Sequence, residues 1–147
     1  MKMLKLLSVA IFCGPLSYLT LSAAPLVTPS EAALPAASGT LATRGISRGP
    51  AVKLNSPEAD TPIQSPFDLK FSFEARGDSK IDLSSVKVVY LKTPIVDLTP
   101  RLKNAITPTG IDFQKADMPA GTHVLKVTVK DTEGRETNTI INLVVNK

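Results

Sequence analysis

The chain has 147 residues, in which 17 Lys and Arg stand against 13 Asp and Glu. This length accommodates one ordinary domain with a short extension. One cysteine excludes an intramolecular disulfide, and one histidine excludes a cluster of His and Cys metal ligands.

The excess positive charge is concentrated near the N-terminus. The formal net charge is +4, and Lys2 and Lys5 account for two of these charges. From residue 51 onward, 13 Lys and Arg face 12 Asp and Glu, and lysines alternate with acidic residues along the chain. A nucleic-acid-binding protein needs a basic stripe on its folded part. The charge pattern therefore argues against nucleic acid as a partner.

Residues 1–24 have the organisation of an export signal. Lys2 and Lys5 precede an uncharged apolar stretch over 6–24, as in the positive and apolar regions of a signal peptide. Gly14 and Pro15 interrupt this stretch, which favours a signal over a stable spanning helix. A stretch of about twenty residues also leaves an uncleaved membrane anchor open. We expect an exported protein, periplasmic or secreted, whose only membrane contact would be this N-terminal segment.

Small residues offer two cleavage sites for the leader. Ser22 and Ala24 suit the −3 and −1 positions, and Ser30 and Ala32 offer a later alternative. Cys13 lies inside the leader, so the mature chain would contain no thiol. Residues 25–49 are rich in Pro, Ala, Gly, Ser and Thr and contain no aromatic residue. Because such a segment buries little apolar surface, we expect a flexible linker there.

The domain is predicted over residues 50–147, where apolar residues recur with period two. Each such segment presents one apolar and one polar face, and turn residues separate the segments at roughly ten-residue spacing. This pattern predicts an all-β, two-sheet antiparallel sandwich of about seven strands. The predicted strands are 51–57, 67–75, 85–91, 95–98, 110–114, 123–131 and 139–145.

One short helical turn interrupts the strand pattern. Thr99 offers an N-cap and Pro100 suits the first helical position. We expect a turn of helix over residues 100–105.

Two segments resemble bacterial immunoglobulin-like (Ig-like or fibronectin III-like) modules of exported proteins. The first contains Ile81-Asp82-x-Ser84-Ser85, and then Val96-Asp97-Leu98-Thr99. The second has the order Pro-x-Gly-x-His with alternating apolar residues, followed by Asp-x-x-Gly, at Pro119, Gly121, His123, Leu125, Val127, Val129, Asp131 and Gly134. The resemblance covers residues 50–147 and implies an Ig-like β-sandwich, although it departs from many relatives at Lys92-Thr93-Pro94, where they carry an Asp-Gly turn.

The candidate chemical residues favour structural roles. In the fold that the resemblance implies, an aromatic residue at His123 bonds back to the preceding loop, as in a tyrosine corner. Asp82, Asp97 and Asp131 are expected to accept local backbone N–H groups at turns. We therefore predict no catalytic, cofactor-binding or metal-binding residue, and no cofactor.

Two sharper interpretations of the polar residues stay open. Asp60, Asp131 and Glu133 would form a calcium site if they met at one end of the sandwich. Arg76-Gly77-Asp78 is a tripeptide known in adhesion, although hairpin tips favour Gly and Asp for conformational reasons alone.

The favoured function is a non-enzymatic exported module that mediates protein interaction or acts as a spacer in the cell envelope. Its expected partner is another envelope or extracellular protein. The alternative is an accessory or assembly factor that offers a sheet edge to a partner. A glycan-binding module ranks third, because the chain has no Trp and two Tyr.

Overall fold

The protein is a β-sandwich with two small helices. A computed structural model describes residues 23–39 and 47–146, so residues 1–22 of the export signal predicted over 1–24 lie outside the described residues. The helices in these ranges are α1 (Pro29–Ala32) and α2 (Thr99–Leu102), and a 3₁₀ turn (Lys103–Ala105) follows α2. Neither described helix has the length and hydrophobicity needed to span a bilayer. The strands are β1 (Ala24–Pro25), β2 (Ala51–Ser56), β3 (Pro62–Gln64), β4 (Phe67–Glu74), β5 (Ile81–Tyr90), β6 (Val96–Asp97), β7 (Ile106–Thr107), β8 (Gly110–Asp117), β9 (Gly121–Asp131) and β10 (Glu136–Asn146).

The strands form two sheets that pack face to face. The first sheet has the order β1-β8-β4-β2, with β7 also paired to β8. The second has the order β3-β10-β9-β5-β6. Neighbours pair antiparallel, except that β1 runs parallel to β8 and β3 runs parallel to β10. This strand order confirms the predicted Ig-like β-sandwich.

The core lies between the sheets and follows the period-two pattern. In β9 the side chains of His123, Leu125, Val127 and Val129 are buried and alternate with more exposed ones. Leu69, Phe71 and Phe73 of β4 face them across the interior. Successive side chains of a strand point to opposite faces, so alternation alone assigns the buried face. All seven predicted strands are present, and the three additional ones, β1, β3 and β7, have only two or three residues each, too few to show a period.

The predicted helical turn is present, but its predicted cap is wrong. The N-cap residue of α2 is Leu98, which makes no side-chain capping bond. The Thr99 hydroxyl instead accepts a hydrogen bond from the Val88 amide at 3.0 Å. The Thr99 amide donates to Asp97 Oδ1 at 2.9 Å, which is the local role expected of Asp97. The Thr99 hydroxyl therefore bonds to the backbone of β5 and does not cap α2.

Residues 23–39, which we name the N-terminal strap, differ from the flexible linker that composition predicts over 25–49. Ala24 and Pro25 pair with Ala116 and Asp117 of β8. Leu26 and Val27 are 0% and 2% exposed and belong to the core cluster. Burial of each of these two aliphatic side chains stabilises the docked strap by about 1.5–3 kcal/mol.

A capping box and an ion pair hold the strap against α2. The Thr28 hydroxyl accepts from the Glu31 amide, while the Glu31 carboxylate accepts from the Thr28 amide. Glu31 also pairs with Arg101 at 2.6 Å, and Arg101 donates to the Leu26 carbonyl at 2.7 Å. The Arg101 guanidinium and the Thr28 amide lower the pKa of Glu31 to about 2 against the effect of partial burial.

The second described part of the linker is also attached. The Ser47 hydroxyl donates to the Glu136 carbonyl at 2.9 Å. Gly49 lies so close to β10 that an added Cβ would meet Thr137 Oγ1 at 2.6 Å. Residues 40–46 of the predicted linker lie outside the described ranges.

His123 has the structural role expected of it. Its Nε2 lies 2.8 Å from the Pro119 carbonyl oxygen, which can only accept, so Nε2 carries the proton. Nδ1 of the neutral ring then accepts from the Tyr90 hydroxyl at 2.9 Å. Burial lowers the pKa of His123 despite the opposing effect of the Pro119 carbonyl. The imidazole is therefore held neutral between a loop and the core.

Docking of the strap predicts that Leu26→Ala lowers the free energy of unfolding by about 2–5 kcal/mol, the cost of truncating a fully buried leucine. The matched control is Leu83→Ala, because Leu83 is 43% exposed, and we expect it to change stability by no more than about 0.5 kcal/mol. Chemical denaturation of both variants measures the difference. Equal midpoints for the two variants would show that the strap does not pack into the core.

Candidate functional site

One end of the sandwich gathers a connection between the two sheets, a hairpin turn and an irregular stretch of strand. The β4–β5 connection covers residues 75–80, and the β9–β10 turn covers 132–135. Residues 83–86 of β5 bulge out of the ladder next to them. We call these three segments, with Asp131 at their base, the loop end.

Asp131 is the centre of the hydrogen bonds at the loop end. Its Oδ1 accepts from the amides of Glu133 and Arg135, each at 3.0 Å. Its Oδ2 accepts from Arg135 Nε at 2.7 Å and from the Ser79 hydroxyl at 3.3 Å. The side chain is 0% exposed, so these donors replace water completely. Gly134 completes the turn with φ of +76°, a conformation that glycine adopts without strain.

The donors around Asp131 overcome the effect of its burial on the pKa. Burial alone would raise the pKa of this carboxyl. The amide and guanidinium of Arg135, together with the Glu133 amide, favour the charged form more strongly. The pKa of Asp131 therefore lies below its ordinary value.

Arg135 also forms hydrogen bonds to the β4–β5 connection. Its Nη2 donates to the Arg76 carbonyl at 3.1 Å and to the Ser79 hydroxyl at 3.0 Å, and it pairs with Glu133 at 3.1 Å. The Thr132 amide donates to the Lys80 carbonyl, and the Lys80 amide donates to the Thr132 hydroxyl, which joins the same two segments. The β4–β5 connection and the β9–β10 turn are thus tied to each other.

Two polar residues of the first resemblance motif shape the bulge in β5. Between Asp82 and Lys87 the register shifts, since their partners on β9 are Lys130 and Thr128. The Ser85 hydroxyl accepts from the Lys130 amide at 2.8 Å and donates to the Asp82 carbonyl at 2.6 Å. The Ser85 hydroxyl thereby replaces a backbone carbonyl as the acceptor for the Lys130 amide. Asp82 Oδ1 accepts from the Ser84 amide at 3.0 Å, as expected for a local backbone contact.

The bulge carries an exposed aliphatic side chain beside an open depression. Leu83 is 43% exposed. The depression is lined by Ile81, Asp82, Leu83, Ser84, Lys130, Asp131, Thr132 and Gly134. Period-two patterning missed Leu83, because a bulge removes the alternation that identifies a strand face. The Asp-x-Ser-Ser pattern before Val86 is the signal that could have indicated it.

The structure separates the residues of the calcium hypothesis. Asp60 lies between β2 and β3, and β3 pairs with the last residues of β10. Asp131 and Glu133 lie beside the first residues of β10, at the opposite end of the sandwich. Asp131 is already occupied by Arg135, and the described residues contain no group of three His, Cys, Asp or Glu side chains suited to a metal. Asp60, Asp131 and Glu133 therefore do not meet at one site.

Comparison of sequences gives only partial matches. No family model matches the chain. The Ras-related proteins RABC2a and RABC2b of Arabidopsis thaliana are 34% and 33% identical over 73 residues. Each match covers 50% of this chain, and the chain spans about a third of the length of these relatives. The phosphate-binding loop of Ras-type proteins contains Gly-Lys, a pair that does not occur in this sequence.

Comparison of structures returns β-sandwich proteins at low similarity. The fibronectin(III)-like modules of Clostridium thermocellum CbhA align with a TM-score of 0.40 and 16% identity, over 65% of this chain and 46% of that one. CopC from Methylosinus trichosporium OB3b aligns at 0.44 and 15%, over 65% and 94%. Murine CRIg aligns at 0.39 and 15%, over 67% and 98%. At these scores the Ig-like assignment rests on the strand order itself.

The buried carboxylate of Asp131 predicts a specific dependence of stability on pH. A lowered folded-state pKa stabilises the protein above the unfolded value of about 4, and this contribution is lost as pH falls through that value toward the folded pKa. The melting temperature of Asp131→Asn should therefore lie well below that of the wild type at pH 7, and this difference should become smaller below a pH of about 4. Thermal melts from pH 7 to pH 2 measure it. A gap that stays constant with pH would contradict the arrangement of donors around Asp131.

Proposed function

We propose that this protein is an exported, non-enzymatic Ig-like module that binds another protein through the loop end. The observation that carries the proposal is Leu83, an exposed leucine held on a bulge beside an open depression. An exposed aliphatic side chain beside a depression offers apolar surface whose burial by a partner protein is favourable. The hydrogen bonds of Ser85 and Asp131 hold this surface in place before a partner arrives, which reduces the entropy lost on binding.

The loop end is favoured over the opposite end of the same sheet. Among the described residues the exposed large hydrophobic side chains are Leu83 and Ile95. Ile95 is 62% exposed and follows β5, whereas Leu83 lies near its beginning. The turn around Ile95 has no network comparable to that of Asp131 and Arg135 among the described hydrogen bonds. Ile95 therefore provides an internal comparison for Leu83.

The alternative functions have less support from the described residues. Strand addition favours a flat, open edge, but β2 and β5 carry register shifts. The outer edge of β10 is occupied at one end by β3 and at the other by Ser47. Glycan binding favours exposed aromatic side chains, and Tyr90 is fully buried; Tyr18 lies outside the described residues.

The contacts of the strap restrict the positions at which an export peptidase could remove the leader. Cleavage after Ala32 would separate Leu26, Val27 and Glu31 from the core and the ion pair that they make. Cleavage at or before Ala24 would leave these contacts intact. We therefore propose that an export peptidase cuts no later than Ala24 and that the mature chain begins with the strap.

Intact-mass measurement on protein from envelope fractions tests this assignment. We expect a mass that retains Pro25 and every later residue, since the strap belongs to the folded domain. A mass beginning at Ala33 would contradict the assignment. A full-length mass in the membrane fraction would show instead that the leader is retained as an anchor.

Site-specific photocrosslinking tests the binding surface. A photoreactive amino acid at position 83 should form an adduct with one partner protein in the native envelope, while the same group at position 95 should form none. Leu83→Asp should abolish capture of that partner without unfolding the domain, because the side chain is exposed. Adducts of equal yield from both positions, or from neither, would contradict the proposal, and the second result would favour a spacer.

A further inference from the structure

The second half of the strap is held by a short segment that follows β5. Lys92 Nζ donates to the carbonyl of Ala32, the last residue of α1, at 2.9 Å. The Thr93 amide donates to the Pro35 carbonyl, also at 2.9 Å. These contacts are separate from the ion pair of Glu31, which holds the first half of the strap. The two halves of the strap therefore have different attachments.

The ring of Tyr90 connects Lys92 with His123. The Lys92 ammonium lies 5.3 Å from the centroid of the Tyr90 ring, a distance at which an aromatic ring attracts a cation. The Tyr90 hydroxyl donates to Nδ1 of His123 at 2.9 Å, and the centroids of the two rings are 5.6 Å apart. Both aromatic side chains are buried, whereas Lys92 is only half-buried. The neutral imidazole thus contacts the same ring as the lysine that holds the strap.

Protonation of His123 disturbs both contacts of the Tyr90 ring. The proton adds at Nδ1, because Nε2 already donates to the Pro119 carbonyl. The Tyr90 hydroxyl must then accept instead of donate, and among the described residues it has no second hydrogen-bond partner. A buried hydroxyl hydrogen without an acceptor is unfavourable. The new cation also repels the Lys92 ammonium, which contacts the same ring.

The surroundings of the two rings leave Lys92 as the group that responds. Burial lowers the pKa of His123, and the Lys92 ammonium adds to this effect. Burial and the Glu31 carboxylate raise the pKa of the Tyr90 phenol. On β10 the partner of His123 is Leu143, and the inward side chains of β4 across the core are apolar. Within the described ranges, Lys92 is therefore the cation beside His123 that can move its charge into water.

We propose that His123 and Lys92 form an acid-sensitive latch through the ring of Tyr90. When the imidazole gains a proton, residues 32–39 of the strap are released. The Lys92 ammonium moves into water, which separates the two positive charges and removes the bond to the Ala32 carbonyl. The backbone bonds that this half of the strap makes after β5 then open. The inference does not rest on the proposed function, because the loop end lies at the beginning of β5 and the latch at its end.

Release is confined to one half of the strap and to a defined range of pH. The folded-state pKa of His123 lies below its ordinary value of 6.5, so the latched form loses stability as pH falls below that value. The pKa of Glu31 is about 2, so its carboxylate stays charged and paired with Arg101 in this range. The first half of the strap, including Leu26, therefore remains docked while the second half detaches.

Hydrogen exchange of individual amides, measured by NMR on the full chain, tests the latch between a pH of about 7 and about 4.5. Protection factors are compared, since they correct for the intrinsic dependence of exchange on pH. We expect the protection factor of the Thr93 amide to fall by about tenfold or more across this range. The protection factor of the Leu26 amide, which donates to the Asp117 carbonyl at 2.9 Å, should stay constant.

Two substitutions distinguish the latch from general destabilisation by acid. Lys92→Gln removes the charge that responds to His123, so the protection factor of Thr93 should no longer depend on pH. His123→Gln cannot gain a proton and should give the same result. Lys87→Gln is the matched control, because Lys87 is an exposed lysine on β5, and it should keep the pH dependence of the wild-type sequence.

Three results would overturn the latch. They are a Thr93 protection factor that does not change with pH, an equal fall at Leu26 and Thr93, and a pH dependence that persists in Lys92→Gln. Lys92 is half-buried, so its substitution decides the question even where His123→Gln does not fold. Crosslinking from position 83 reports on the loop end alone, so the latch and the proposed function succeed or fail separately.

Discussion

A carboxylate buried without water must receive hydrogen bonds from the protein, and the loop end depends on how Asp131 meets this requirement. Its donors come from the turn that follows it and from Ser79, which lies 52 residues away in the sequence. Meeting the requirement therefore joins the β4–β5 connection, which crosses between the sheets, to the β9–β10 turn. This connection fixes the backbone of the loop end on both sides of Asp131.

The N-terminal strap enlarges the hydrophobic core at the edge of the first sheet. A sandwich of about a hundred residues has a small core. Leu26 and Val27, which precede the domain predicted over 50–147, add two aliphatic side chains to it. The ion pair between Glu31 and Arg101 then holds the strap across α2. The strap is thus part of the folded domain from Ala24 onward.

The loop end could be predicted only in part. The motifs of the Ig-like resemblance contain Asp82, Ser85, Asp131 and Gly134, and each of these shapes a turn or the bulge in the structure. They did not indicate that Leu83 would be exposed, because alternation predicts a side chain's face only in a regular ladder. The calcium hypothesis placed Asp60 with Asp131, whereas the crossing of the chain from β2 to β3 carries Asp60 to the other end. The strap was missed because the composition of residues 25–49 is typical of a linker, and the Thr28-Pro29-Ser30-Glu31 capping box is the signal that could have indicated it.

The amino-acid pattern predicts the fold class and seven of the ten described strands with the faces that they bury, because period two along the chain sets the inward and outward positions of a strand. It also predicts the local turns at Asp82, Asp97 and Asp131, whose hydrogen bonds span a few residues. Docking of the strap, the meeting of Ser79 and Arg135 at Asp131, and the position of Leu83 beside Thr132 and Gly134 depend on the packed structure. These contacts join segments far apart in the sequence, so they exist only when the two sheets have packed.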